Sequence, residues 1–303
     1  MARIIGSPSR YIQGKGTLAE ITKYTERLGK KLLILVSKSG KKRVEEKINK
    51  AVEGTDTTVV WEIFNGECSK SEVNRIGENL KKEKCDVVVG IGGGKILDTA
   101  KAVAYYEDIA VVCVPTAAST DAPCSALSVL YTDDGQFDEY LWLPANPDII
   151  LLDTDIIVAA PVRLIVSGMG DALATYFETR ACMRSNTTSC MGGSVSKTAM
   201  ALSELCFKTL MGDGAKALLA VNAGACTPAV ENIIEANTYL SGIGFESGGI
   251  AAYSRLDRHR TLDAVAVQVK SRVLRTVDGV FAGHVDQQLK GCATVSVCIN
   301  GRL

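Results

Sequence analysis

Residues 87–102 read VVVGIGGGKILDTAKA, and no other stretch constrains the fold as tightly. The Val/Ile run at its start is stiff at χ1 and disfavours helix. Its lack of polar alternation fits a strand buried on both faces, as parallel sheets require. The end of the stretch has helical spacing. Between the two lie Gly92, Gly93, Gly94 and Lys95. These glycines miss the common phosphate-binding spacings. In GxGxxG, Gly90 and Gly92 fit but Lys95 holds the last glycine place. In the P-loop pattern Val89 holds the first glycine place and Ile96 the Ser/Thr place. Glycine lets the backbone adopt φ > 0 and lets a ligand approach its N–H groups. A helix beginning near Lys95 adds free N–H donors and a positive dipole end, which suits a phosphate or diphosphate. Lys95 supplies a point charge. The competing reading is a tight strand-to-helix turn with no ligand.

The same texture recurs along the first half. KKLLILVS (30–37), TTVVWEIF (57–64), CDVVVGI (85–91), IAVVCVPT (109–116) and DIILLD (148–153) read as strands. Helical segments at 40–54, 69–84 and 95–106 separate the first four. Strand–helix alternation predicts an α/β fold, a Rossmann-like doubly wound parallel sheet. SALSVLYTDDGQFDEYLWLP (125–144) has two alternating segments around Asp-Asp-Gly and reads as a hairpin. From about residue 160 the chain turns rich in Ala, Leu and Met, which predicts a C-terminal all-α domain. The expected division is 1–160, 161–252 and a tail of different character, 253–303.

Lys+Arg and Asp+Glu balance at 34 each, so nothing draws the chain to nucleic acid or an anionic membrane. No signal peptide or membrane span is read, and the ten scattered cysteines form no CxxC pair. A reduced, cytoplasmic protein is expected.

Two further segments carry chemistry. In VPTAASTDAPCSALSVLY (114–131), small hydroxylated residues follow a parallel strand, where doubly wound sheets bind ligands. Asp121 there can accept hydrogen bonds from substrate hydroxyls, or it belongs to a helix cap or turn. In VSGMGDALATYFETRAC (166–182), Asp171 follows Gly-Met-Gly and leads an Ala-rich helix. Taken alone it reads as an N-cap, with a metal carboxylate as the sharper alternative.

SPSRYIQG, GIGGGKILDTAKA, PTAASTDAPCSALSVLYTDDGQF, SGMGDALATYFE and ANTYLSGIGFESGG together resemble the bacterial glycerol dehydrogenase family, over residues 3–252. That family belongs with the metal-dependent, iron-containing alcohol dehydrogenases and has a dehydroquinate synthase-like fold. The resemblance implies NAD in a cleft between an α/β and a helical domain. Gly92, Gly93, Gly94, Lys95, Ile96, Leu97 and Asp98 would border the diphosphate. Thr116, Ala117, Ala118 and Ser119, with Ser125, Leu127 and Tyr131, would line the nicotinamide side. Asp121 would contact glycerol, and Asp171 would be a Zn2+ carboxylate completed by two histidines. The implied reaction is zinc-assisted hydride transfer from glycerol to NAD, giving dihydroxyacetone. A homo-oligomer is in keeping with the family. A sister polyol-phosphate dehydrogenase would need a basic phosphate cluster in the helical domain, and residues 160–250 show none.

The sequence departs from that pattern in two places. Ser37 stands where the family commonly has an aspartate for the adenosine ribose, which leaves strict NAD preference open. Beyond GFESGGIAA the chain reads AAYSRLDRHRTLDAV, with Ser254 in a histidine ligand's place. The chain's two histidines, His259 and His284, fall in no matching motif. His259 can be read as a ligand of new geometry or as a solvated residue among arginines. The expectation is a reading-frame change or sequencing error near codon 253 and an early stop, with real divergence as the alternative. It implies an incomplete metal site, impaired turnover, or a non-catalytic NAD-binding remnant.

Overall fold

In the computed structural model, the structure describes residues 1–250. Ser254, His259, His284 and the 253–303 tail lie outside the described residues. Six parallel strands form the central sheet: β1 (Arg10–Gly14), β2 (Lys31–Val36), β3 (Thr58–Ile63), β4 (Val87–Gly92), β5 (Ala110–Pro115) and β8 (Ile149–Asp153). Their order is β1-β8-β5-β4-β2-β3. β6 (Leu127–Tyr131) and β7 (Phe137–Trp142) pair separately as an antiparallel hairpin, as the Asp-Asp-Gly turn predicts.

Period-two alternation sends successive side chains to opposite faces of the sheet. Leu32, Ile34, Val36, Val87, Val89 and Ile91 pack on one face under α1 (Ile21–Thr25) and α2 (Lys38–Val52). Leu33, Leu35 and Val88 face α3 (Lys70–Glu83) and α4 (Gly94–Glu107). Ser69 accepts from the N–H of Glu72 and so caps α3, the purpose of its serine-rich start.

After the short α5 (Thr154–Val158) the chain is helical: α6 (Val162–Ser185), α7 (Lys197–Asn222), α8 (Pro228–Glu235) and α9 (Ser241–Gly248). A π-helical turn, Ala236–Leu240, joins α8 to α9. Leu97, Cys113, Ile150 and Leu152 from the sheet side share one core with Met169, Leu173, Cys206 and Ile233 from these helices. Three glycines seat α9 against its neighbours. A Cβ at Gly242 would stand 2.5 Å from Cys124 Cβ, at Gly244 2.5 Å from Thr175 Cγ2, and at Gly248 2.2 Å from Thr179 Oγ1. No described helix is long and apolar enough to cross a membrane.

Candidate active site

The chain runs from β2 outward to β3, returns to β4 on the other side of β2, and continues to β5. The strand order therefore reverses between β2 and β4. In open α/β sheets, ligands bind beyond the carboxyl ends of the strands at such a point. Val36 pairs with Ile91, so Ser37, just past β2, and Gly92, the last residue of β4, come side by side there.

Of the two properties expected of these glycines, positive φ is not used. None of Gly92, Gly93 and Gly94 has positive φ; Gly93 is extended, at φ −92° and ψ −177°. Gly92 is needed for packing, since a Cβ there would lie 2.6 Å from Ile96 Cδ1. At Gly93 and Gly94 a Cβ would meet nothing within 4 Å. These two open onto unfilled space at the start of α4, whose N-cap Gly93 has no capping side chain. The N–H groups of Ile96 and Leu97 bond back to the Gly93 carbonyl at 3.0 and 3.2 Å. The N–H groups of Gly94 and Lys95 precede them, in the turn where helices leave donors unsatisfied.

The side chains of Ile96 and Leu97 are buried in hydrophobic clusters on the sheet. Asp98 is also buried, paired with Lys101 Nζ at 2.9 Å, and it accepts from the N–H of Val129 at 3.3 Å. Burial raises its carboxyl pKa against the opposing pull of Lys101. Lys95 reaches Glu67 at 2.6 Å and lies over the Tyr131 ring at 5.4 Å. Ser37 caps α2, its hydroxyl accepting from the N–H of Gly40 at 3.0 Å.

The second loop lies beside the first, with the N–H of Thr116 donating to the Gly92 carbonyl at 3.1 Å. Thr116, Ala117 and Ser119 are half-buried; Ala118, Ser125 and Leu127 are buried. Asn237 fixes this loop to α6. Its Nδ2 donates to the Ala118 carbonyl at 2.9 Å and the Ile165 carbonyl at 3.0 Å. Gly168 allows that approach, since a Cβ there would stand 2.1 Å from the Ala118 oxygen. The glycines of SGMG were the available signal for this contact; the sequence reading used them only to locate Asp171.

Asp121 is half-buried, and Ser241 Oγ donates to its Oδ2 at 2.6 Å. Its carbonyl closes a turn with the N–H of Cys124 at 2.9 Å, so the turn reading and a free-reaching carboxylate are compatible. Asp171 does not cap a helix. It lies in the interior of α6, which begins at Val162 behind Pro161, so the N-cap reading is overturned. Its position on α6 brings its charge to bear on Asp121.

Burial first, and the Asp171 charge second, push the Asp121 carboxyl up to about 8. The folded chain then holds that proton more tightly than the unfolded one. Asp121 therefore contributes stability that is fully present below the ordinary carboxylate range and is lost as pH rises from about 4 toward 8, at up to about 1.4 kcal/mol per pH unit. Thermal unfolding of chelator-treated protein is expected to show Tm falling across this window, with Asp121→Asn flattening the profile. A flat profile in the parent protein contradicts the assignment.

Glycerol dehydrogenase of Escherichia coli O6:H1 is 48% identical over 252 residues, 83% of this chain and 69% of its own length. Residues 8–154 match the family described as iron-containing alcohol dehydrogenase. The chain belongs to the iron-containing alcohol dehydrogenase family. Within it, the glycerol dehydrogenase of Thermotoga maritima is 50% identical over 245 residues, 81% of this chain and 67% of its own length. Among solved structures, a probable glycerol dehydrogenase from Sinorhizobium meliloti 1021 superposes with a TM-score of 0.77 at 43% identity. That match covers 82% of this chain and 68% of the other. By family the protein is an alcohol oxidoreductase, and the expected parallel α/β fold is the observed one.

The family name implies a metal. Among the described residues, no three His, Cys, Asp or Glu side chains gather into a metal-binding group. Catalytic zinc sites use three protein ligands. The described residues therefore do not by themselves complete a metal site.

Proposed function

We propose that this chain binds NAD with its diphosphate over Gly93, Gly94 and the start of α4, and that its substrate is a polyol, glycerol in the first place. The observation that carries the reading is the open, side-chain-free N-terminus of α4 at the strand-order reversal, bonded to the Thr116 loop. In this reading residues 1–160 form the nucleotide half and 161–252 the substrate half. The nicotinamide side is lined by Thr116, Ala117 and Ser119, with Tyr131 beneath Lys95 and Ala118, Ser125 and Leu127 backing the loop. NAD, when bound, supplies the carbon that accepts the hydride. Asp121, held by Ser241, orients a substrate hydroxyl, and the buried Asn237 holds the loop that aligns donor and acceptor. Glycerol oxidised in this way gives dihydroxyacetone and NADH, with the proton of the oxidised hydroxyl released to solvent.

Zinc as the metal, with Asp171 as its carboxylate, belongs to the same proposal. Ser254 in a histidine's place makes slow turnover the expected behaviour. The test is NAD titration together with glycerol-dependent NADH formation in added zinc. Saturable binding with weak turnover is expected. Absence of binding rejects the reading, and fast turnover rejects the impairment. Binding with no turnover at all favours an NAD-binding remnant, which the assembled cradle supports on its own.

Ser37 yields a separate prediction. Aspartate caps a helix as well as serine does and offers a second oxygen to the ribose hydroxyls. Ser37→Asp is expected to tighten NAD by about three- to tenfold through a charged hydrogen bond, and to weaken NADP by charge repulsion. Titration with both nucleotides checks it; equal changes for the two would show that Ser37 does not face the ribose.

A further inference from the structure

We infer that Lys101 and Glu246 are positioning residues that clamp the 121–127 loop from two different helices and so fix Asp121 against the cradle. The inference rests on the reading of that loop as the substrate side of the site.

Lys101 lies on α4, two turns beyond the glycines, and its side chain is 0% exposed. Its ammonium pairs with Asp98 at 2.9 Å and donates to the carbonyls of Ala122 at 2.9 Å, Ser125 at 3.3 Å and Leu127. Burying an ammonium is costly unless every donor finds a partner. Here the partners are one carboxylate and three carbonyls of a single six-residue stretch. An apolar side chain of similar volume would fill the space and leave those carbonyls unsatisfied.

Glu246 lies on α9 and is 2% exposed. Its Oε1 accepts from the N–H of Ala126 at 2.8 Å, and its Oε2 accepts from Asn146 Nδ2. Asn146 Nδ2 also donates to the Cys124 carbonyl at 2.9 Å. The backbone at 122, 124, 125, 126 and 127 is thus held through two buried charges of opposite sign. One is carried by the helix that opens the cradle. The other is carried by the helix whose Ser241 holds Asp121. A carboxylate buried for packing alone would have no reason to seek a loop N–H across the boundary between sheet and helices. Side-chain identity here serves the loop's position.

The test is peptide-resolved amide hydrogen exchange on the full chain, with Glu246→Ala, Glu246→Gln and Lys101→Met, reading residues 121–127 against β2 and β4. Alkylation of Cys124, 0% exposed, gives a second readout of loop opening. Glu246→Ala is expected to speed loop exchange and Cys124 alkylation by about tenfold or more, with β2 and β4 unchanged. Glu246→Gln keeps an acceptor for the Ala126 N–H and is expected to recover most of the protection. Lys101→Met is expected to extend the opening through residue 129, where Asp98 loses its partner; should that variant fail to fold, the Glu246 pair decides. Unchanged loop exchange in Glu246→Ala, or an equal rise in β2 and β4, overturns the inference. Neither readout requires metal, NAD or turnover. Failure here leaves the proposed function standing, and failure to bind NAD leaves the clamp standing.

Discussion

Gly168→Val is expected to lower the unfolding free energy by about 3 kcal/mol, the upper range for overpacking a closed core. The added Cβ would stand 2.1 Å from the Ala118 carbonyl oxygen and 2.4 Å from Asn237 Nδ2. Neither neighbour can retreat cheaply. Asn237 is fully buried and donates to both Ala118 and Ile165, so moving it breaks two hydrogen bonds between α6, the π turn and the loop. Gly212, on α7, provides the contrast, because a Cβ there meets nothing within 4 Å. Gly212→Ala is expected to stabilise the chain by up to about 1 kcal/mol through helix propensity. Urea unfolding measures both. A Gly168→Val midpoint equal to the parent's would show that the loop does not press on α6.

Gly93→Asp is expected to weaken NAD binding by about a hundredfold or more while leaving stability unchanged or slightly raised. Backbone at φ −92° and ψ −177° accepts any residue, and the side chain would enter empty space. Aspartate is among the best N-caps, so its carboxylate would accept from the N–H groups at the start of α4. Those are the donors assigned to the diphosphate. Two like charges about 5 Å apart at an effective dielectric of 20 repel by about 3 kcal/mol, which is more than a hundredfold in affinity. Stability and binding therefore move apart, which a general folding defect cannot produce. Equal NAD affinity in Gly93→Asp and the parent would place the nucleotide elsewhere.

Most of the sheet was legible because parallel strands buried on both faces need uninterrupted Val/Ile runs, as in LLILV and VVV. β1 was not, because RYIQG is short, polar and at the sheet edge, held by its pairing with β8 rather than by its own pattern. The strand-to-helix opening is legible from its glycines through one of their two properties: the backbone is open at Gly93 and Gly94, but positive φ is not used, and the packing need at Gly92 has no sequence signal. Asp171 was misplaced as a cap because Gly-Met-Gly reads as a break. In fact the helix runs through both glycines, with Gly168 pressed against Ala118. Lys101 and Glu246 carried no local signal at all. DTAKA and FESGG hold no motif that marks their lysine or glutamate as buried, and only tertiary packing shows it.

In the proposed function one opening, between the start of α4 and the Thr116–Leu127 loop, holds the dinucleotide. Hydrogen exchange of the full chain with and without saturating NAD is the decisive experiment. Slowed exchange is expected at residues 93–97 and 116–127, with β3 and α7 unaffected. Folded protein showing no protection at either segment, or protection confined to another face of the sheet, would contradict it.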